Sequence, residues 1–257
     1  MGKIIAVANQ KGGVGKTTTC VNTCAALTEA GRKVLLCDMD PQGNSTSGLG
    51  VDKNRDAASM YHVLIDGIEA ASVIEKTPYG DILPANKILS GAGIELVTAQ
   101  RREFVLKNAL APIGALYDFI LIDCPPSLEM LTLNSLCAAN TVLIPVQCEY
   151  YALEGLTDLM TTIRMTKKAL NPGLEIEGVL LTMYDARTNF SAQVTAEIKK
   201  FFKHKVYNIT IPRNIRLAEA PSHGVPVTVY DRPSRGSKAY IELARELVRN
   251  SAGALSH

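Results

Sequence analysis

Residues 4–8, Ile-Ile-Ala-Val-Ala, lead straight into Asn9-Gln10-Lys11-Gly12-Gly13-Val14-Gly15-Lys16-Thr17-Thr18-Thr19, and residues 20–30 follow with helical spacing. A strand, a glycine-rich turn and a helix in that order constrain the fold more than any other stretch. Glycines let the backbone approach a ligand closely, and successive N–H groups together with the helix N-terminus form a cradle for a phosphate. In such a cradle Lys16 neutralises the β- and γ-phosphates of a nucleotide, and the Thr17 hydroxyl sits on Mg2+. The strict pattern G-x-x-x-x-G-K-[ST] asks for glycine at position 10, where this chain has Gln10, and the chain adds a second lysine, Lys11. A lone loop lysine is ordinarily solvated, but a cation inside a phosphate-binding turn has the stronger claim. The spacing alone leaves the role of Lys11 open.

At 257 residues the chain is long enough for one large α/β domain or two small ones. Tryptophan is absent and aromatics make up 5%, which disfavours stacking on single-stranded nucleic acid. The first apolar run is too short for a secretory signal, and Ala6 breaks the myristoylation pattern that begins at Gly2. No apolar stretch reaches membrane-spanning length. Cys20, Cys24, Cys37, Cys124, Cys137 and Cys148 contain no C-x-x-C pair, so they read as buried free thiols in a reducing cytoplasm. The net charge is +2, yet residues 185–249 carry 12 Lys or Arg against 6 Asp or Glu. That asymmetry suits either a polyanion-binding face or a merely solvated surface.

The spacing predicts a strand over residues 33–37 after a helix stop at Gly31, then an acidic turn, Asp38-Met39-Asp40-Pro41-Gln42-Gly43-Asn44. In parallel α/β sheets, ligands bind at the carboxyl ends of strands. Residues 45–100 are the least regular part, with short helices over 58–65 and 68–76, a short strand over 82–85, and no catalysis expected. A helix is predicted over 103–116. The apolar strand 119–122 then closes on Asp123, where a carboxylate can hold Mg2+ opposite the phosphate cradle. Strands over 141–146, 178–183 and 209–211 alternate with helices over 151–170, 191–202 and 237–249. The expected fold is α/β, a single doubly wound, mainly parallel sheet with helices on both faces.

Three segments resemble one family. Lys11-Gly-Gly-Val-Gly-Lys-Thr-Thr18 resembles the deviant Walker A motif, Asp38-Met-Asp-Pro-Gln-Gly-Asn44 its switch I, and Leu121-Ile-Asp-Cys-Pro-Pro-Ser127 its Walker B and switch II. Residues 182–188 and 211–222 resemble the Soj branch of the ParA partition ATPases, and the likeness covers residues 3–247. The resemblance implies one P-loop ATPase domain over residues 1–257, without the N-terminal helix-turn-helix domain of larger partition ATPases. It implies ATP and Mg2+ as cofactors and an ATP-bound homodimer in which each Lys11 reaches the partner's phosphates. Gly12, Gly13, Val14, Gly15, Lys16, Thr17 and Thr18 would form the phosphate site. Asp40 would position the attacking water, Thr17, Asp38 and Asp123 would serve the metal, and Pro212 and Asn214 would lie near adenine. Arg187 and Arg216, both in the basic region, match residues that bind double-stranded DNA non-specifically.

The expected function is therefore a slow ATP-hydrolysing switch for DNA segregation, cytoplasmic and nucleoid-associated, released from DNA when a ParB/Spo0J-type centromere-binding protein stimulates hydrolysis. A MinD-like membrane-cycling regulator needs a basic amphipathic C-terminal helix. Residues 250–257 offer one bulky apolar residue and no Lys or Arg, so no membrane anchor is expected. An iron–sulfur carrier on the same core needs interface cysteines, and Cys124 alone is suggestive.

Overall fold

The computed structural model describes residues 2–149 and 154–253. In chain order the elements are β1 (Lys3–Val7), α1 (Lys16–Glu29), β2 (Val34–Asp38), α2 (Asn44–Gly48), α3 (Met60–Leu64), α4 (Ala70–Val73), β3 (Glu75–Thr77) and β4 (Gly80–Leu83). There follow α5 (Leu89–Glu95), α6 (Val105–Leu110), β5 (Phe119–Asp123), α7 (Met130–Ala138), β6 (Thr141–Gln147), α8 (Glu154–Ala169) and β7 (Glu175–Tyr184). The chain then forms α9 (Asn189–Phe202), β8 (Val206–Pro212), α10 (Ile215–Glu219), α11 (Val227–Tyr230) and α12 (Arg235–Gly253).

The eight strands make one sheet in the order β3-β4-β2-β5-β1-β6-β7-β8. Every neighbouring pair is parallel except the β3–β4 hairpin, so the doubly wound, mainly parallel architecture holds. Both faces of the central strands are covered, which is why they read as continuous apolar runs rather than as alternations. Ile4 and Ala6 join the core beneath α3, α5, α7 and α8, while Ile5 and Val7 join the core beneath α1 and α12. The strand order reverses around β1, and the crevice at such a switch point is where open α/β sheets bind ligands.

The differences from the sequence reading have local causes. α1 begins at Lys16 rather than at residue 20, because Gly15 turns at φ 90° and the helix starts directly behind it. Gly31, at φ 77°, ends the same helix as expected. The helix expected over 103–116 is broken: α6 stops at Leu110 ahead of Pro112, which has no N–H to continue the ladder, and only a 3-10 turn follows at Gly114–Leu116. The helix expected over 68–76 shortens to α4 and gives way to β3. The Pro78-Tyr79-Gly80 turn folds β3 back antiparallel on β4. Helices α2, α5, α7, α10 and α11 were not anticipated. The expected start of α8 at Tyr151 lies outside the described residues.

Asn171 ties α7 to the loop after α8. Its Nδ2 donates to the carbonyls of Leu136 (2.9 Å), Cys137 (3.3 Å) and Ala139 (2.8 Å), where the end of a helix has no N–H of its own to offer. Asn171→Ala leaves these buried acceptors unpaired and should cost about 2–3 kcal/mol, a fall in Tm of roughly 4–12 °C. Asn171→Asp points a carboxylate at the same carbonyls and should cost more. Thermal and urea unfolding of the two variants checks the order; an Asp variant as stable as the wild type contradicts this geometry.

Candidate nucleotide and metal site

The loop between β1 and α1 is anchored from outside. Asn9 Nδ2 donates to Pro145 O on β6 (2.8 Å), and Asn9 Oδ1 accepts from Lys11 N–H (3.0 Å). Thr182 Oγ1 on β7 donates to Val14 O (2.8 Å). Gly13 and Gly15 have φ of 75° and 90°, conformations that admit glycine and little else. Gly12 has no such demand, and a methyl group there would meet nothing within 4 Å. The chain itself gives no reason for glycine at position 12, whereas a ligand lying close against the backbone does. No side chain caps the N-terminus of α1, so its first N–H groups face the loop without a side-chain acceptor. An anion supplies what is missing. Lys16 is 7% exposed, and its Nζ donates to Lys11 O (3.1 Å). Burial lowers its pKa, opposed chiefly by the nearby Asp123.

The two expected metal carboxylates come together by register. Asp38 ends β2, Asp123 ends β5, and the two are directly paired across the sheet, with Val7 of β1 beside Asp123. Both are fully buried. Desolvation and mutual repulsion raise the Asp38 pKa, and desolvation raises that of Asp123. The Ser45 and Thr17 hydroxyls oppose that rise at Asp123. Its Oδ1 is buried without a hydrogen-bond partner. Two desolvated carboxylates and an orphaned oxygen beside a phosphate cradle fit a divalent cation. Among the described residues no group of three or more His, Cys, Asp or Glu could hold a metal alone. Mg2+ keeps waters and shares phosphate oxygens instead of filling a protein cage.

Asp40 is half-buried at the rim, its Oδ1 accepting from Gln42 N–H (2.9 Å). On the other side of the loop a cavity of ≈ 350 Å³ runs from Gly15 and Thr18 past Met183 to Pro212, Asn214 and Tyr240. It thus joins the phosphate loop to the two residues expected near adenine. Asn214 caps α10 through Oδ1, which accepts from Arg216 N–H (2.9 Å). Its amide NH2 is the group free of that cap.

Lys11 takes no part in its own cradle through its side chain. Its ammonium pairs with Glu149, just beyond β6, and both side chains stay about one-third exposed (34% and 36%). The two arginines expected on DNA are exposed and engaged with acids. Arg187 grips Asp185 through Nε (2.9 Å) and a terminal nitrogen (2.7 Å), holding that carboxyl well below the usual range. Arg216 pairs with Glu219 (2.8 Å) and Asp231 (3.1 Å). All six cysteines are free, and burial pushes the Cys124 thiol up to about 12, so it is no exposed thiolate ligand. Ser45, Thr46 and Glu149 escaped the sequence reading, and Thr182, which opens the segment 182–188, was not given its role at the loop. The hydroxyl pair directly after Asn44 was the one local signal available.

The sequence pattern of an AAA domain (AAA_31) matches residues 2–176. The Bacillus subtilis sporulation initiation inhibitor protein Soj is 55% identical over 252 residues, which is 97% of this chain and all of that protein. The Myxococcus xanthus chromosome partitioning protein ParA is 50% identical, spanning 97% of this chain and 89% of its own. The chain belongs to the ParA/Soj family of chromosome-partitioning ATPases. Solved structures agree with that placement in fold. Cobyrinic acid a,c-diamide synthase from Mycobacterium smegmatis, with bound ADP and magnesium, superposes at a TM-score of 0.88 with 40% identity, covering 99% of this chain and 97% of that one. MinD from Pyrococcus horikoshii, complexed with Mg-ADP, superposes at 0.79 with 29% identity, covering 96% of each chain. The likeness to the ParA/Soj relatives is closer than that to MinD, so the membrane-cycling alternative loses ground. No helix among the described residues is long and apolar enough to cross a membrane. As a ParA/Soj ATPase the chain hydrolyses ATP with Mg2+, and the cradle, the buried carboxylates and the adjoining cavity suit that pair.

Proposed function

We propose that this chain is a single-domain ATP-driven switch for DNA segregation whose active unit is an ATP-bound sandwich dimer. The observation that carries the reading is the cradle left exposed at Gly12 and Gly13, with the Lys11 cation held at its rim by Glu149. A second copy closes that open side, and each Lys11 exchanges Glu149 for the partner's phosphates. The backbone N–H groups of residues 12–15 and the start of α1 hold the phosphates, Lys16 neutralises them, and Thr18 lies against the α-phosphate. Thr17, Asp38 and Asp123 hold Mg2+ and its waters; the ion, when bound, draws off charge from the β- and γ-phosphates. Asp40 accepts a hydrogen bond from the attacking water. Pro212 and Asn214 bound the adenine.

In this reading the dimer binds duplex DNA without sequence preference, associates with the nucleoid, and leaves when a ParB-type partner speeds hydrolysis. Arg187 and Arg216 contribute phosphate contacts. Their present ion pairs are solvent-exposed, and exposed pairs are worth little against a polyanion. The test is ATP-dependent binding to arbitrary duplex DNA over a salt series. Arg187→Ala with Arg216→Ala, which removes two arginines from each of two subunits, should weaken binding and flatten the log–log salt slope by up to about 4. DNA affinity that ignores ATP, or a double variant with an unchanged slope, removes the DNA part of the proposal.

A further inference from the structure

Helix α2 is only five residues long and follows an open acidic turn, yet Ser45 and Thr46 within it are fully buried. The turn forces them in. Gly43 adopts φ 62°, and a methyl group there would lie 2.6 Å from Ala85 O, so the turn ahead of α2 sits tight against the backbone just beyond β4. Each hydroxyl then meets one of the paired carboxylates. Ser45 Oγ donates to Asp123 Oδ2 (2.8 Å). Thr46 donates twice to Asp38 Oδ2, through N–H and through Oγ1, both at 2.8 Å. Thr46 Oγ1 also accepts from Ala85 N–H (2.9 Å), which fixes the direction of its own proton. The remaining oxygen of Asp38, Oδ1, accepts from Asp40 N–H (3.2 Å).

A continuous path therefore runs from the end of β4, through Thr46 and Asp38, to the backbone of Asp40. We propose that Thr46 is a positioning residue that sets Asp40, and that Thr46 and Ser45 together tie the segment 40–48 to both metal carboxylates. The inference rests on the roles proposed above for Asp40, Asp38 and Asp123. Ser45 occupies only Oδ2 of Asp123, and Oδ1 stays unpartnered, so the tie does not compete with a metal-bound water. Filling the Mg2+ site and setting Asp40 become one event, because neither carboxylate can shift without moving α2. Groups that orient metal-site carboxylates in this way typically matter ten- to a hundredfold in metal affinity or activity.

The experiment compares wild type, Thr46→Val and Thr46→Ser in the full chain. Steady-state ATP hydrolysis is measured together with the affinity for a fluorescent ADP in Mg2+ and in EDTA. Thr46→Val should lower kcat about tenfold or more and shrink the Mg2+-to-EDTA affinity ratio at least about threefold, with the affinity in EDTA within about twofold of wild type. Thr46→Ser keeps the hydroxyl and should recover kcat to within about threefold of wild type. An unchanged kcat and ratio in Thr46→Val, affinity lost equally in Mg2+ and EDTA, or no recovery in Thr46→Ser overturns the proposal. If circular dichroism finds Thr46→Val misfolded, Ser45→Ala decides. Its half-saturating Mg2+ concentration should rise at least about threefold with EDTA affinity unchanged, and an unmoved value overturns the tie. Asp40→Ala is assayed alongside. Full hydrolysis in that variant refutes the reading of Asp40, whereas the Mg2+ ratio of the Thr46 variants still reports on the tie.

Discussion

Lys16→Met is expected to lower kcat/KM for ATP by roughly a thousandfold while the chain still folds. At an effective dielectric of about 20, a unit charge about 4 Å from a phosphate oxygen contributes about 4 kcal/mol. About 1.4 kcal/mol is a factor of ten in rate, so the loss is roughly three decades. The fold survives because the lysine is there at a cost. It is 7% exposed, burial already lowers its pKa, and its one protein hydrogen bond is to the carbonyl of Lys11. Methionine fills a similar volume without a desolvated charge. Asp123, whose carboxyl is already raised by burial, loses a neighbouring cation and holds its proton more firmly. Phosphate release, nucleotide titration and a thermal melt settle the matter together. Nucleotide affinity within about threefold of wild type would mean that Lys16 does not face the phosphates.

How much of this was legible from the residues differs from element to element, for physical reasons. The β1–loop–α1 unit and β5 could be read because their signals are local: an uninterrupted apolar run, then glycines where φ must be positive or a ligand must approach. Asp38 and Asp123 each looked like a strand-end carboxylate, and the register of β2 against β5 makes them neighbours. That adjacency comes from the order of the strands in the sheet, which the lengths of the apolar runs alone do not give. No catalysis was expected in residues 45–100, yet Ser45 and Thr46 hold both carboxylates. A Ser-Thr pair after an acidic turn looks like solvated surface, and only the tertiary packing against Asp38, Asp123 and Ala85 buries it. The β3–β4 hairpin and the break in the helix expected over 103–116 were each marked by a proline, Pro78 and Pro112, and both were outweighed by apolar spacing. Glu149 had no local signal at all, since its meaning depends on a lysine far away in the chain.

Lys11→Ala should behave in the opposite way to Lys16→Met: nucleotide still binds the single chain, and the ATP-dependent dimer is lost. The contrast follows from where the two ammonium groups lie. Lys16 Nζ is buried behind the loop, whereas the Lys11 ammonium is at the rim, paired with Glu149 and about one-third exposed. Such a partly exposed pair is worth about 1 kcal/mol or less, so removing it leaves stability nearly unchanged. Within one chain Lys11 offers its phosphate loop only backbone groups, which alanine retains, and ATP affinity of the isolated subunit should stay within about threefold. Between two chains the balance changes. In the proposed dimer two triphosphates brought face to face would repel each other, and each Lys11 crossing the interface would replace part of that repulsion with an attraction of about 4 kcal/mol at an effective dielectric of about 20. Losing both should weaken the dimer by several decades. Glu149→Gln provides the counter-experiment. It releases Lys11 from its resting partner, so the dimer should form at least as readily as in the wild type, by up to about fivefold. Size-exclusion chromatography in ATP, with nucleotide titration of the monomer, reads both variants. If Lys11→Ala dimerises like the wild type, Lys11 does not bridge two subunits; if it loses nucleotide as Lys16→Met does, Lys11 serves its own cradle.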